Sequence, residues 1–495
     1  MVWMVSVARW GRFEWTLHAQ REYANPLVDV RLTVEFRAPD GSIRTAEGFW
    51  DGGDTWRVRF SPDTFGEWHA VSACEPADHG LDGQSTAFTC APYEGENELY
   101  RHGPVGVRSG ERFLRHRDGK PFFCLGDTAW NGPLKASLPD WETYLADRSG
   151  KRFNVIQFVT TQWLAAAGNA DARLAYMGRD PIEIDPVFFQ WLDARIDLMN
   201  DRGFMGAAVI AWAATWSKPG LALSPGTALP DDDVVRLGRY MLARYGAHQM
   251  AWILAGDGHY VDGEAARWRL IGRRVFEGSD ALATIHPGGH IWAEDEFRGE
   301  AWFRFHGYQS GHWRGEEALR WIVAGPASAA WGREPGIPQI NLEFCYEDHE
   351  DFDTHVRFNA HDVRRDAWSS LLAAVPAGLT YGCHGVWSWQ FEPNWPMSHP
   401  KTGIARPWFE AIGLPGSFVM KEIREIMESI EWWRLRPAPE LLAEPRGLVS
   451  AAMSPERDLA IVYSPDNSNP IVRTELLQPA LAVLQIEPIL LFKPA

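Results

Sequence analysis

Along residues 28–36 apolar and polar side chains alternate strictly. Val28, Val30, Leu32, Val34 and Phe36 share one face; Asp29, Arg31, Thr33 and Glu35 share the other. This period of two predicts a half-buried β-strand. Pro39-Asp40-Gly41 makes a turn, residues 56–60 alternate again, and Gly66-Glu67-Trp68 and the Gly80 to Gly83 segment punctuate further short strands. Residues 1–100 are therefore expected to form an antiparallel β-sandwich. After residue 105 the rhythm changes. Short apolar runs ending in polar residues occupy 122–127, 154–159, 206–212, 251–257, 281–286, 303–309, 338–343 and 378–387. Helical patterns fall between them, for example at 186–201, 232–245, 263–276 and 361–375. Eight strand–helix alternations over residues 105–425 predict a (β/α)8 barrel, an α/β fold. A doubly wound sheet is the alternative, but it would want a glycine-rich phosphate loop after a strand, and neither GxGxxG nor GxxxxGK occurs. A closing helix at 417–433 and strands at 448–454, 458–464 and 481–492 predict a small C-terminal β domain over 434–495.

Charge narrows the function. Of 495 residues, 48 are Lys or Arg and 65 are Asp or Glu, a net charge of −17 with no basic run. That disfavours a phosphate backbone as partner. No apolar stretch reaches the roughly 18–20 residues of a membrane span. The start, MVWMVSVARWGRFEW, lacks the features of a signal peptide, so a cytoplasmic enzyme is expected. Cys74, Cys90, Cys124, Cys345 and Cys383 are read as reduced thiols, with Cys74 and Cys90 left as a conceivable pair within the first domain. Tryptophan is the outlier at 26 residues against 12 Tyr. Most are expected in the core. Those near strand ends suit the C–H faces of sugar rings, because indole is large, rigid and amphipathic.

In such a barrel the active site lies at the C-terminal ends of the strands. The runs end in Asp127, Gln157, Trp212, Asp257, His286, Gln309 with His312, Glu343, and His384 with Trp387. Asp257 (WILAGD) and Glu343 (INLE) end the fourth and seventh runs, which face each other across the mouth. A pair of carboxylates is what glycoside hydrolysis needs, one to protonate the leaving oxygen and one to attack or to activate water. Burial in Gly256-Asp257-Gly258 would raise the Asp257 pKa, as an acid requires. A Tyr or His donor near Glu343 would keep it ionised, as a nucleophile requires. Glu347 is the competing carboxylate. Asp127, Trp130, Gln157, Trp163, Trp212, His286, Gln309, His312, Tyr346, His384, Trp387 and Trp389 are the expected substrate-binding residues. The histidines of HPGGH (286–290) and HGYQSGH (306–312) lack metal-site spacing, HExxH and GxSxG are absent, and neither a metal nor a cofactor is expected.

The strings FFCLGDTAW, RFNVIQFVTTQW, WILAGD, HPGG with GYQSGH, and INLEFCYE resemble the apiosidase-like (β/α)8 glycoside hydrolases. WGRFEWTLHA, NPLVDVRLTVEF and GFWDGGDTWRVRFSP resemble the β-sandwich that commonly precedes that barrel. The resemblance implies a glycosidase with Asp257 as acid/base and Glu343 as nucleophile. It also implies release of apiose from plant pectin as the characterised activity, among relatives with other substrates. The expectation is an exo-acting, retaining hydrolase of a plant-type oligosaccharide or glycoside. A transglycosylase on the same pair and a non-catalytic sugar-binding barrel are the alternatives. The expected partner is that sugar, with neither nucleic acid nor membrane, and a homo-oligomer is compatible.

Overall fold

The structure is a computed structural model. It describes residues 5–214, 221–374, 377–443, 448–465, 470–479, 481–486 and 488–494. All eight apolar runs form strands of one parallel sheet: Cys124–Thr128, Val155–Val159, Met205–Trp212, Met250–Gly258, Leu282–Pro287, His306–Gln309, Gln339–Glu343 and Gly378–Tyr381. They pair in sequence order, and the eighth returns to the first through Cys124 opposite Gly378. Between the fifth and sixth strands, Arg304 N–H bonds Ala283 O at 2.9 Å, and Gly307 N–H bonds Thr284 Oγ1 at 2.9 Å. The sheet thus closes into a barrel. Every strand residue is buried except Asp257. That explains why the runs read as continuously apolar, since each is covered both by the barrel interior and by helices.

The helices start where capping chemistry directs. Pro186–Asp201 follows Asp185, whose carboxylate caps Val187 N–H, with proline in the first turn. Ala360–Ala373 opens with a reciprocal Asn359/Asp362 capping box. Residue 375, assigned to this helix from the sequence, lies outside the described residues.

Before the barrel, two sheets stack. Val5–Ala8, Ser85–Ala91, Gly66–Glu75, Arg31–Arg37 and Ile43–Glu47 form one; Phe13–His18, Thr55–Phe60 and Phe49–Gly52 form the other. The core between them holds Phe13, Val34, Phe36, Trp68 and Phe88. Two details differ from expectation. The first strand runs parallel to Ser85–Ala91, and the alternating strand begins at Arg31 rather than Val28. Pro26 and the side-chain cap of Asn25 wind Pro26–Asp29 into a helical turn, which leaves Val28 46% exposed.

The sandwich docks on the barrel helices through buried charge. Arg59 and Arg244 both grip Asp193 at 2.7 Å, and Arg244 reaches Asp51 at 2.8 Å. All five cysteines are free and buried.

Behind the barrel, Gly416–Glu428 is the closing helix and ends earlier than its apolar pattern. The final sheet follows the order Arg436–Pro437, Ser450–Met453, Ala460–Tyr463, Ile489–Lys493, Ala482–Ile486. The expected single strand at 481–492 is a hairpin, with residue 487 outside the described residues. Leu459, Ile461, Ile489 and Leu491 join the hydrophobic core of the barrel itself. Among the described residues no helix is long and apolar enough to cross a membrane.

Candidate active site

Both carboxylates singled out in the sequence sit where strand pairing slips. The register between the sixth and seventh strands shifts between Tyr308 and Gln309, so that Gln309 faces Glu343. The register between the fourth and fifth shifts on both sides of Gly256, which faces His286. Such bulges re-aim side chains at barrel rims. Asp257 also has φ = 54°, the left-handed region that Asp tolerates better than most residues. Its neighbour Gly256 cannot carry a side chain, because a Cβ would stand 2.5 Å from the Trp212 ring. Asp257 is half-buried, less covered than its apolar strand implies, because the turn swings it beyond the barrel's last layer.

Glu343 is buried at the end of the seventh strand. Its Oε1 accepts a hydrogen bond from His312 Nε2 at 2.9 Å, and His286 Nε2 stands 3.4 Å from Oε2. His312 is locked in one tautomer, because its Nδ1 accepts from Tyr346 N–H at 3.3 Å, so the proton lies on Nε2 and is donated to Glu343. His349 stacks on His312 at 4.0 Å. Burial opposes ionisation of Glu343, but the His286 and His312 contacts outweigh it and hold the carboxyl well below the ordinary range.

An attacking carboxylate must be ionised, so with Glu343 in that role the depression would extend activity toward acid. Removing the donor with His312→Phe is expected to raise the acidic limb of the kcat/KM profile by about one pH unit or more, toward or above the ordinary glutamate value of roughly 4.3. The alkaline limb should stay. An acidic limb that does not move would show that Glu343 is not the group titrating there.

Around Glu343 the structure gathers most of the expected binding residues. Trp130 packs edge-on to Trp212 and to His286, with ring centroids at 5.3 and 5.4 Å. Trp163 lies 4.3 Å from Trp212, and its Nε1 donates to Asn131 Oδ1 at 2.7 Å. Gln157 donates to Thr128 Oγ1 at 2.7 Å and to Leu342 O at 2.9 Å, which ties the second strand to the residue before Glu343. Tyr346 is buried with its ring 4.7 Å from His312. Trp387 donates its indole N–H to His384 Nδ1 at 3.1 Å. Four buried polar atoms, Trp212 Nε1, His286 Nδ1, Gln157 Oε1 and Gln309 Oε1, have no hydrogen-bond partner among the described residues. Buried polar atoms are otherwise nearly always paired. Four such atoms on the strands and loops around one ionised carboxylate form a surface suited to hydroxyl groups.

Three expected binding residues are not at the mouth. Strand alternation turns Thr128 inward and Asp127 outward, so Asp127 is wholly buried against helix Leu138–Gly150, where it accepts from Tyr144 Oη at 2.6 Å and pairs with Arg148. Removing it leaves Arg148 Nε and Tyr144 Oη without their acceptor while Arg148 keeps Asp147 at 2.6 Å, so Asp127→Ala is expected to cost about 1–3 kcal/mol of stability, read as a lowered Tm. A Tm within a degree or so of the parent (well under 1 kcal/mol) would contradict this account. Trp389 is core, stacked on Trp408 at 4.7 Å and packed against Trp141 and Tyr144. His384 has both nitrogens engaged, Nε2–H on Gly403 O at 3.0 Å and Nδ1 by Trp387, so it positions the indole instead of meeting a ligand. The competing Glu347 is also structural: it accepts from Tyr381 Oη at 2.7 Å and from Gly416 N–H at 2.8 Å, at the N-terminus of the closing helix.

Two residues were missed. His349 and His399 lie in the loops after the seventh and eighth strands, and His399 places its ring 4.9 Å from Trp387 and 6.1 Å from Trp163. Neither ends an apolar run, so the strand-end rule does not reach them. Among the described residues, no group of three or more His, Cys, Asp and Glu is arranged to hold a metal ion.

Comparison with known proteins agrees with this architecture. The sequence profile of the apiosidase-like catalytic domain matches residues 108–434, and a domain of unknown function (DUF5060) matches residues 6–73. Comparison with curated proteins gave no match. Among solved structures, a glycoside hydrolase family 5 protein from Bacteroides vulgatus superposes with a TM-score of 0.66 at 22% identity, covering 78% of this chain and 85% of its own. A second Bacteroides vulgatus protein assigned to the glycoside hydrolases reaches 0.69 at 21% identity, covering 93% of this chain and 84% of its own. At such identities the likeness concerns the fold. The profile spans well over half of the chain, barrel and both carboxylates included, and the chain therefore belongs to the apiosidase-like family of glycoside hydrolases, enzymes of carbohydrate substrates.

Proposed function

We propose that this glycosidase is exo-acting and retaining, with Glu343 as nucleophile and Asp257 as acid/base, and that it releases a terminal sugar from a plant-type oligosaccharide or glycoside. The observation that carries the reading is the state of Glu343. It is buried, held ionised by His312 and His286, and surrounded by indoles and unpaired polar atoms. An ionised, desolvated carboxylate beside packed indoles and unpaired polar atoms is a prepared nucleophile. Asp257 ends the opposite strand with a half-exposed side chain. It can donate a proton to the leaving oxygen and later take one from water. Enclosure by Trp130, Trp163, Trp212 and Trp387, each at most 3% exposed, favours a chain end over an internal unit.

The test is a hydrolysis screen over aryl glycosides, apiosides included, and plant oligosaccharides. The anomer of the first product is read by NMR before mutarotation. The substrate's own anomer in the first product is expected. The opposite anomer would overturn the nucleophile assignment, and internal cleavage of oligosaccharides would overturn exo action.

A further inference from the structure

The loop after the eighth strand folds back as a hairpin, closed by Asn394 N–H on Ala405 O at 3.1 Å and Ala405 N–H on Asn394 O at 2.8 Å. Its two sides differ. The inner side enters the active site: His399 lies between Trp387 and Trp163, and Gly403 O accepts the His384 proton. The outer side carries Phe391, Trp395, Met397 and Ile404, which are 53%, 48%, 43% and 45% exposed. Trp395 and Ile404 flank the Asn394–Ala405 bridge and so are neighbours across it. Neither the Phe391 nor the Trp395 ring meets another aromatic ring among the described residues, whereas the indoles around Glu343 are all packed.

The hairpin is held firmly to the seventh-strand loop. Glu350 N–H bonds Thr402 O at 3.1 Å, Arg357 bonds Ile404 O at 2.8 Å, and Asp348 binds both Arg406 at 2.8 Å and Arg357 at 3.0 Å. A rigid hairpin with one face in the site and exposed aromatic residues on the other is a pre-organised platform.

We propose that the outer face of this hairpin, Trp395 with Phe391 and Met397, is a second saccharide subsite that takes the sugar unit next to the one meeting Glu343. This rests on the proposed carbohydrate site. The occupant follows from continuity: the hairpin that brings His399 to Trp387 and Trp163 carries Trp395 four residues earlier on its exposed side, so a ligand that extends from the barrel mouth along this hairpin meets that ring. A C–H sugar face on an indole also removes apolar surface that monomeric proteins seldom leave exposed in a patch.

The experiment uses the full chain carrying Glu343→Gln, which binds without cleaving. Titration calorimetry with short pectin-derived oligosaccharides and with the corresponding free monosaccharides is compared with and without Trp395→Ala. Oligosaccharide affinity is expected to fall about tenfold or more, monosaccharide affinity to stay, and Trp395→Phe to recover most of the loss. Phe65→Ala, an equally exposed ring on the N-terminal sandwich, should change neither. Oligosaccharide binding unaffected by Trp395→Ala would overturn the subsite alone. No saccharide binding at all by the Glu343→Gln protein would overturn the carbohydrate reading with it. A Trp395→Ala change in sedimentation from dimer to monomer, without a change in affinity, would make the patch a contact between copies of this chain and overturn the proposal.

Discussion

Glu343→Ala is expected to lower kcat by about four to six orders of magnitude, the scale seen when a covalent nucleophile is removed, while the protein stays folded. The His312 and His286 contacts hold the buried carboxylate well below the ordinary range, so at neutral pH its charge favours the native state, and the substitution should lower stability by about 1–3 kcal/mol. A small anion can then enter the space left by the side chain and attack the anomeric carbon from the same face. Azide should restore turnover of an activated aryl glycoside and yield a glycosyl azide of inverted configuration. Activity that survives the substitution at more than a hundredth of the parent's, an expectation about one part in a hundred being far above the residual rate, would remove Glu343 from the nucleophile's role.

The barrel was legible because its strands are buried on both faces. Continuous apolar runs such as Ala251 to Ala255 have no solvent face to interrupt them, and the polar residue that ends each run marks the mouth. What the runs do not reveal is direction. Asp127 and Thr128 are adjacent in sequence, yet pleating sends one to a helix and the other inward, and the strand-end rule chose the wrong neighbour. Trp389 fails for a related reason, since an indole just beyond a strand end fits a pocket or a core equally well until Trp141, Tyr144 and Trp408 are seen around it. His349, His399 and Trp395 belong to long loops whose course is set by bonds between loops, such as Glu350 to Thr402. No periodicity records those. The donors on Glu343 were anticipated in kind, but the tautomer of His312 depends on a backbone N–H three residues beyond Glu343 and is visible only in the fold.

Asp257 should behave differently from Glu343 when it is removed, and the difference tests the whole assignment. The residue has a left-handed backbone, so Asp257→Asn is the better variant: Asn tolerates that conformation, whereas Ala adds strain. An amide can neither protonate the leaving oxygen nor activate water. For an alkyl or sugar leaving group, which must depart protonated, kcat/KM is expected to fall by about 10²–10⁴. For a nitrophenyl leaving group, which departs well as an anion, kcat/KM should fall far less. The second step still lacks its base, so the glycosyl-enzyme accumulates and an initial burst of nitrophenol appears before slow turnover. Azide needs no base and should accelerate that step, giving a product with the anomeric configuration of the substrate, opposite to the product from Glu343→Ala. Equal losses on both classes of leaving group, or azide products of one configuration from both variants, would show that the fourth-strand aspartate is not the acid/base and that the proton comes from elsewhere in the mouth of the barrel.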